Sequence, residues 1–208
     1  MIKKFLSFLY FTYLLHPQSL FAQGSVDDDF FKEEFSFPNQ RIIPCATPDP
    51  TIDQIIESKA EVDEWLMQNG NRNRNQVVVY VIWHVIYASD GTGNISDNRI
   101  IAQIEAMNQE FQNNNSNIYF SLDSINRVEN TEWFTGWAYF GDALDDVGME
   151  ELHYDPAHYL NIYSAQLYDS GAGSLVTLGY TAFPTNLSET SYMQGFTLDH
   201  RAVSGGLY

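Results

Sequence analysis

Cysteine is nearly absent from this chain of 208 residues: Cys45 stands alone. A single thiol cannot close an internal disulfide, so stability has to come from packing. Positive charge is also scarce, with 10 Lys+Arg against 27 Asp+Glu and a formal net charge of −17. Such a surface repels polyanions, which argues against nucleic acid and anionic membranes as partners. No run is long enough to cross a bilayer. The longest apolar stretches, residues 5–15 and Val77–Tyr87, fall well short of the roughly 20 residues a spanning helix needs. Several chemical signatures are missing too. There is no G-x-S-x-G elbow for a serine nucleophile and no glycine-rich phosphate loop ending in Lys-Ser or Lys-Thr. Cys45 has only Arg41 nearby as an electropositive neighbour, too little to mark it as a nucleophile.

What is present begins with a leader. Lys3 and Lys4 precede the apolar run 5–15, and Ala22 offers a small residue for cleavage. Residues 1–22 therefore read as a signal peptide, and the mature chain is expected outside the cell or in the periplasm, free of the membrane. Residues 23–48 are acidic and aromatic and read as loosely ordered or as a pro-segment. Pro44, Pro48 and Pro50 keep the chain around Cys45 extended. A helix is predicted over about 51–69. Thr51 and Gln54 suit a capping box. Ile52, Ile55, Ile56, Val62 and Leu66 form its apolar stripe, and Gly70 stands where a C′ glycine belongs. The polar linker 69–75, NGNRNRN, sets a domain boundary near residue 75.

Val77–Tyr87 is rich in β-branched and aromatic residues, which suits a strand buried on both faces. The turn dipeptides Asp90-Gly91 and Gly93-Asn94 follow. A helix then starts at the N-cap Ser96, with Ile95 able to staple onto Ile100, and Ile100, Ile104, Met107 and Phe111 share one face. This strand–turn–helix is the opening unit of an α/β domain. Residues 117–125 alternate as a half-buried strand, and 130–151 reads as an irregular, aromatic-rich connection. Residues 158–167 form a buried strand, 171–184 an edge strand closed by Pro184, and 195–203 one more strand.

The histidines and acids make no recognisable ligand set. His16 lies in the leader, and His84 sits inside the buried strand, where a lone histidine is a hydrogen-bonded core residue. His153 and His158 are separated by Pro156 and cannot share a helical face; with Asp155 between them, the spacing matches no metal motif. His200 reads as core or surface. The pairs Asp145-Asp146 and Glu150-Glu151 are adjacent and point in different directions, so nothing selects either as a catalytic carboxylate pair.

Three stretches carry a resemblance. They are the opening unit at 77–111, the lead-in TPDPTIDQIIESKAEVDEWLMQNGNRNRNQ, and the pair YLNIY (159–163) and GYTAFP (179–184). Over residues 41–204 the chain resembles the pappalysin family of metzincin zinc metallopeptidases. The resemblance implies a secreted zinc endopeptidase that hydrolyses protein or peptide substrates with a zinc-activated water. Calcium occurs in that family, but no residue pattern here supports it. The implied fold is α/β: a metzincin-like (zincin) upper subdomain, with a mixed, mostly parallel sheet of about four or five strands and a backing helix. The implied domains are a signal peptide at 1–22, a pro-segment at 23–75 and an incomplete catalytic domain at 76–208.

The same resemblance assigns site residues. Ser174, Leu175, Val176, Thr177, Leu178, Gly179, Tyr180 and Thr181 become an edge strand that binds substrate by antiparallel pairing. Cys45 becomes a thiolate that blocks zinc until the pro-segment is cut, although Ala46 stands where relatives carry glycine. The family motif H-E-x-x-H-x-x-G-x-x-H does not occur in the 208 residues. In the family it follows the strand that corresponds to 195–203. The chain is therefore expected to carry no catalytic residue and no metal ligand, and to be inactive as it stands. Two explanations remain open: a fragment of a longer reading frame, or a shortened, non-catalytic secreted binding or adhesion module.

Overall fold

The computed structural model describes residues 41–43, 47, 49–69, 76–137, 144–167, 175–182 and 187–206. The leader, Cys45, Gly70 and Ser174 lie outside them. In chain order the elements are β1 (Arg41–Ile43), α1 (Ile52–Asn69), β2 (Val77–Tyr87), α2 (Asp97–Asn113), β3 (Ile118–Glu129), α3 (Thr131–Gly136), α4 (Leu144–Leu152), β4 (Tyr159–Ala165), β5 (Leu175–Thr177), β6 (Gly179–Thr181) and β7 (Gly195–Asp199).

Five strands form one sheet in the order β3-β2-β4-β7-β6. All neighbours are parallel except β6, which runs antiparallel to β7 at the edge. This is the mixed, mostly parallel sheet expected from the sequence. The parallel crossovers place helices on the sheet faces. Helix α2 buries Ile100, Ile104, Met107 and Phe111, the predicted stripe. It packs on the face that carries Phe120 of β3. The Phe111 and Phe120 rings meet edge to face at 4.9 Å, and the Asn108 side chain bonds both the N–H (2.7 Å) and the C=O (2.8 Å) of Phe120. Ser96 occupies the N-cap position of α2, but its side chain makes no capping bond.

The connection expected to be irregular, 130–151, holds two helices instead. Asn130 caps α3 by accepting from the Trp133 N–H at 2.9 Å. Their short lengths and interspersed glycines hide the 3.6-residue period. Trp137, which ends α3, lies fully buried on the sheet face opposite α2, stacked on Tyr163 of β4 at 5.7 Å, and Gly148 of α4 packs against its ring.

Other boundaries moved. β3 continues to Glu129 through a bulge that leaves Asp123 without a register partner. The last strand ends at Asp199, and residues 200–206 turn back onto α2, where Arg99 donates to the carbonyls of Ser204, His200 and Val203. The predicted edge strand over 171–184 is two short strands parted at Leu178. Thr51 and Gln54 make the predicted capping box, but Ile52, Ile55 and Ile56 of the α1 stripe are exposed. β2 is buried on both faces only from Val81 onward, because Val78 and Tyr80 stay open to solvent.

Candidate functional site

The sheet ends at the run 175–181, and both sides of that run are engaged. On the inner side, Tyr180 of β6 pairs with Thr197 of β7, and the Leu178 carbonyl accepts from the Asp199 N–H at 2.9 Å. On the outer side lies the chain's own N-terminal segment. β1 pairs parallel with β5 in the register Arg41↔Leu175, Ile42↔Val176 and Ile43↔Thr177. Thr47 takes up the backbone of Thr181: its hydroxyl accepts from the Thr181 N–H at 3.0 Å and donates to the Thr181 C=O at 3.3 Å. The offset of 134 residues that separates Thr47 from Thr181 is the offset of the β1–β5 register. Arg41–Ile43 and Thr47 thus meet the edge residues Leu175–Thr177 and Thr181 at one and the same parallel offset. A second strand cannot hydrogen-bond to the same backbone groups while this one is there.

Thr177, Gly179, Tyr180 and Thr181 are buried, and Leu178 is half-buried. The Thr181 hydroxyl donates to the Gly195 carbonyl at 2.7 Å, which fastens the edge to β7. Tyr180 points the other way. Its hydroxyl donates to Asp145 Oδ2 of α4 at 2.8 Å, while Tyr192 donates to Asp146 Oδ1 at 3.1 Å. The adjacent carboxylates do face different partners, and both tie α4 to the rim of the sheet. Burial raises the Asp145 carboxyl above the ordinary aspartate value and holds the Tyr180 phenol well above its own.

A polar row crosses the sheet behind this edge. Asn126, His84, Tyr163, Thr197 and Tyr180 are register neighbours on all five strands. His84 donates from Nε2 to Asn161 Oδ1 at 3.0 Å and accepts at Nδ1 from Asn126 at 3.2 Å, so it is neutral with the proton on Nε2. Burial lowers its pKa to about 4. Its ring stacks on Tyr163 at 4.7 Å. This is the core histidine the sequence implied. His200 is half-buried against the Phe134 ring at 5.3 Å, and His158 bonds Asp155 at 2.7 Å on the surface.

Among the described residues, no group of three His, Cys, Asp or Glu could hold a metal ion. No helix among them is long and apolar enough to cross a membrane.

The fold is metzincin-like: mixed α/β with a five-stranded, mostly parallel sheet. A promirolysin mutant from Tannerella forsythia superposes with a TM-score of 0.52 over 78% of this chain and 62% of that one, at 23% identity. Three curated relatives are named extracellular metalloproteases: those of Arthroderma benhamiae and Trichophyton verrucosum, each 35% identical, and that of Arthroderma otae, 36% identical. Each match runs over 126 residues, 59% of this chain and 41% of the relative. The chain thus spans about two fifths of the length of the curated relatives it matches. No protein-family model matches it.

Sequence reasoning missed the partner of the edge. Arg41–Ile43 is too short a strand to stand out locally, and nothing in Thr47 announces a contact 134 residues away.

Proposed function

We propose that this chain is the pro-segment and upper catalytic subdomain of a secreted zinc endopeptidase of pappalysin type, and that residues 41–47 keep it latent by occupying the edge 175–181. The observation that carries the reading is the single parallel register along that edge. An extended substrate pairs with such an edge through the same backbone groups. A segment of the same chain, held at high effective concentration, excludes it until the tether is cut. The metalloprotease names of the relatives and the shared fold support the class. Cys45 lies in sequence between Ile43 and Thr47, and the zinc-blocking role that the resemblance implies for it belongs to the same device.

The segment H-E-x-x-H-x-x-G-x-x-H that such an enzyme needs does not occur in the 208 residues. Reading the coding sequence past the Tyr208 codon is the test. An in-frame H-E-x-x-H-x-x-G-x-x-H segment supports the peptidase. A stop codon in an intact locus overturns it and leaves the non-catalytic binding module. In the product that carries that segment, Ile42→Pro removes a β1 amide donor, and peptidase activity is expected before any processing. Unchanged latency in Ile42→Pro would sink the edge role, and unchanged latency in Cys45→Ala would sink the thiol role, each independently.

A further inference from the structure

The sheet face opposite α2 is covered over only part of its length. Trp137, backed by Gly148 of α4, closes it over the row of His84 and Tyr163. The rows toward the N-terminal end of β2 stay open. Tyr80 and Tyr159 are register partners there, and Val78 pairs with Tyr119 in the next row. Tyr80, Tyr119 and Tyr154 are 49%, 45% and 55% exposed, whereas most other large aromatics among the described residues are buried.

These rings form a fixed group. Tyr80 and Tyr159 have centroids 6.3 Å apart at 52°, and Tyr154 meets Tyr159 edge to face at 4.9 Å. The loop that presents Tyr154 is pinned from below. Asn161 accepts from the Tyr154 N–H at 2.9 Å and donates to its carbonyl at 3.1 Å, while its Oδ1 also accepts from the His84 Nε2–H. Asp155 adopts a left-handed backbone, φ 29, and its carbonyl accepts from the amides of His158 and Tyr159. The carboxylates of Asp123, the bulge residue, and of Asp155 lie close enough to raise the Tyr159 phenol, Asp123 the more strongly.

Aromatic faces and carboxylates around one opening attract a cation; Asp123 is an exposed acid there, and Asp155 is shared with His158, which bonds its Oδ2 at 2.7 Å. A positive group set over the exposed side of the adjacent Tyr80 and Tyr159 rings, whose centroids are 6.3 Å apart, can approach both, and cation–π attraction operates within ~6 Å of a ring centroid. The described Lys59, Arg99, Arg127 and Arg201 side chains are already bound to acceptors of this chain. A second copy would bring another net charge of −17 to the surface. Charge complementarity therefore selects a basic partner. We propose that Tyr80, Tyr154 and Tyr159, with Asp123 and Asp155, form a docking site for an arginine or lysine side chain of a basic peptide segment in another protein.

Fluorescence anisotropy of the 208-residue protein with a fluorescein-labelled peptide of alternating arginine and glycine tests this. A peptide with citrulline in place of arginine is the neutral control. Saturable binding of the arginine peptide is expected, with Tyr80→Leu and Tyr159→Leu each weakening it roughly fivefold and Tyr80→Phe and Tyr159→Phe keeping it. Asp123→Asn should weaken it more than the paired change Glu61→Gln and Glu64→Gln on α1, which removes charge elsewhere. Circular dichroism confirms that each variant folds, and the phenylalanine variants retain the rings where leucine disturbs the sheet. Equal binding of the citrulline peptide, leucine variants that bind as wild type, or an equal loss in the α1 variant would overturn the site. So would self-association in sedimentation velocity that Tyr80→Leu abolishes, which would make a second copy the occupant.

Discussion

The Thr47 hydroxyl satisfies both backbone groups of Thr181, accepting from its N–H at 3.0 Å and donating to its C=O at 3.3 Å. One side chain thereby stands in for a strand residue at the outer edge of β6. Thr47→Val keeps the shape and removes both bonds. A neutral hydrogen bond contributes about 1 kcal/mol, so the Thr181 amide should exchange with solvent roughly fivefold to tenfold faster while the amides of β2 and β4 stay protected. Hydrogen exchange resolved by residue checks it. An unchanged Thr181 amide would mean that β7 alone orders the edge.

His84 makes stability depend on pH. Its folded pKa of about 4 lies below the ordinary 6.5 because burial penalises the charged ring. The unfolded chain therefore takes up the proton first. The contribution is fully present above pH 6.5 and is lost as pH falls toward 4, amounting to about 3 kcal/mol across the window. Acidic residues elsewhere titrate in the same range, so the comparison with His84→Gln isolates the term. Urea denaturation of both proteins between pH 7 and pH 4 should show wild type losing more stability than the variant. Parallel curves would mean that the ring is not buried neutral.

Asp145 works in the opposite sense. Burial raises its folded pKa above the ordinary 3.8. The stabilising effect of its protonated form is present below pH 3.8 and is lost as pH rises through the folded value, above which a half-buried charge is a standing cost. Asp145→Asn keeps an oxygen for the Tyr180 hydroxyl and removes that charge, so its stability at pH 7 should match or exceed wild type. Asp145→Ala takes away the acceptor from a hydroxyl on a buried ring and should cost about 1–3 kcal/mol. Thermal denaturation of the two variants side by side separates charge from hydrogen bond. A destabilised Asp145→Asn would show that the carboxylate charge itself is needed.

Local pattern made part of this molecule readable and left the rest hidden. β2, α2 and the Thr51–Gln54 box were visible because each depends on residues within one or two turns of one another. The role of His84 followed from its place in an apolar strand. The candidate site was legible only along one side. The run 175–181 carries strand residues, but its partner 41–47 lies 134 residues away, and a parallel register over such a distance leaves no periodic trace. The open tyrosine face was hidden for a different reason. The apolar sequence of β2 does not reveal that His84 is buried beside the Trp137-covered Tyr163 while Tyr80 stays exposed. Helices α3 and α4 themselves escaped notice because Gly136 and Gly148 interrupt short stretches of mixed aromatic and acidic residues.

Gly195 is the point at which β7 enters the sheet. Its φ of +141 is a conformation that side chains avoid, and a Cβ there would overlap the Asn161 carbonyl oxygen. That oxygen belongs to backbone paired between β2 and β7, so it has little room to yield. Gly195→Ala should cost about 3 kcal/mol or more. The same change should expose the edge, because the Gly195 carbonyl holds the Thr181 hydroxyl. A thermal midpoint close to wild type would mean that β7 can shift along β4 without penalty.

Arg99 fixes the direction in which the chain leaves β7. From α2, its Nε donates to the Ser204 carbonyl at 3.0 Å and its Nη2 to those of His200 and Val203 at 3.0 and 2.7 Å, while Gln103 accepts from the Ser204 amide and hydroxyl. A planar fork can reach several carbonyls at once, which a single ammonium cannot reproduce. Arg99→Lys should therefore behave nearly as badly as Arg99→Met, freeing the 200–206 turn at a cost of about 1–3 kcal/mol for the charge-assisted bonds lost. The readout is local: trypsin should cut after Arg201 sooner in both variants, and the Gly206 amide, bonded to the Val203 carbonyl at 2.9 Å, should lose protection. Full rescue by lysine would assign the clamp to charge alone, and the turn would then owe its shape to the Asp199–Arg201 pair inside it, bonded at 2.7 Å.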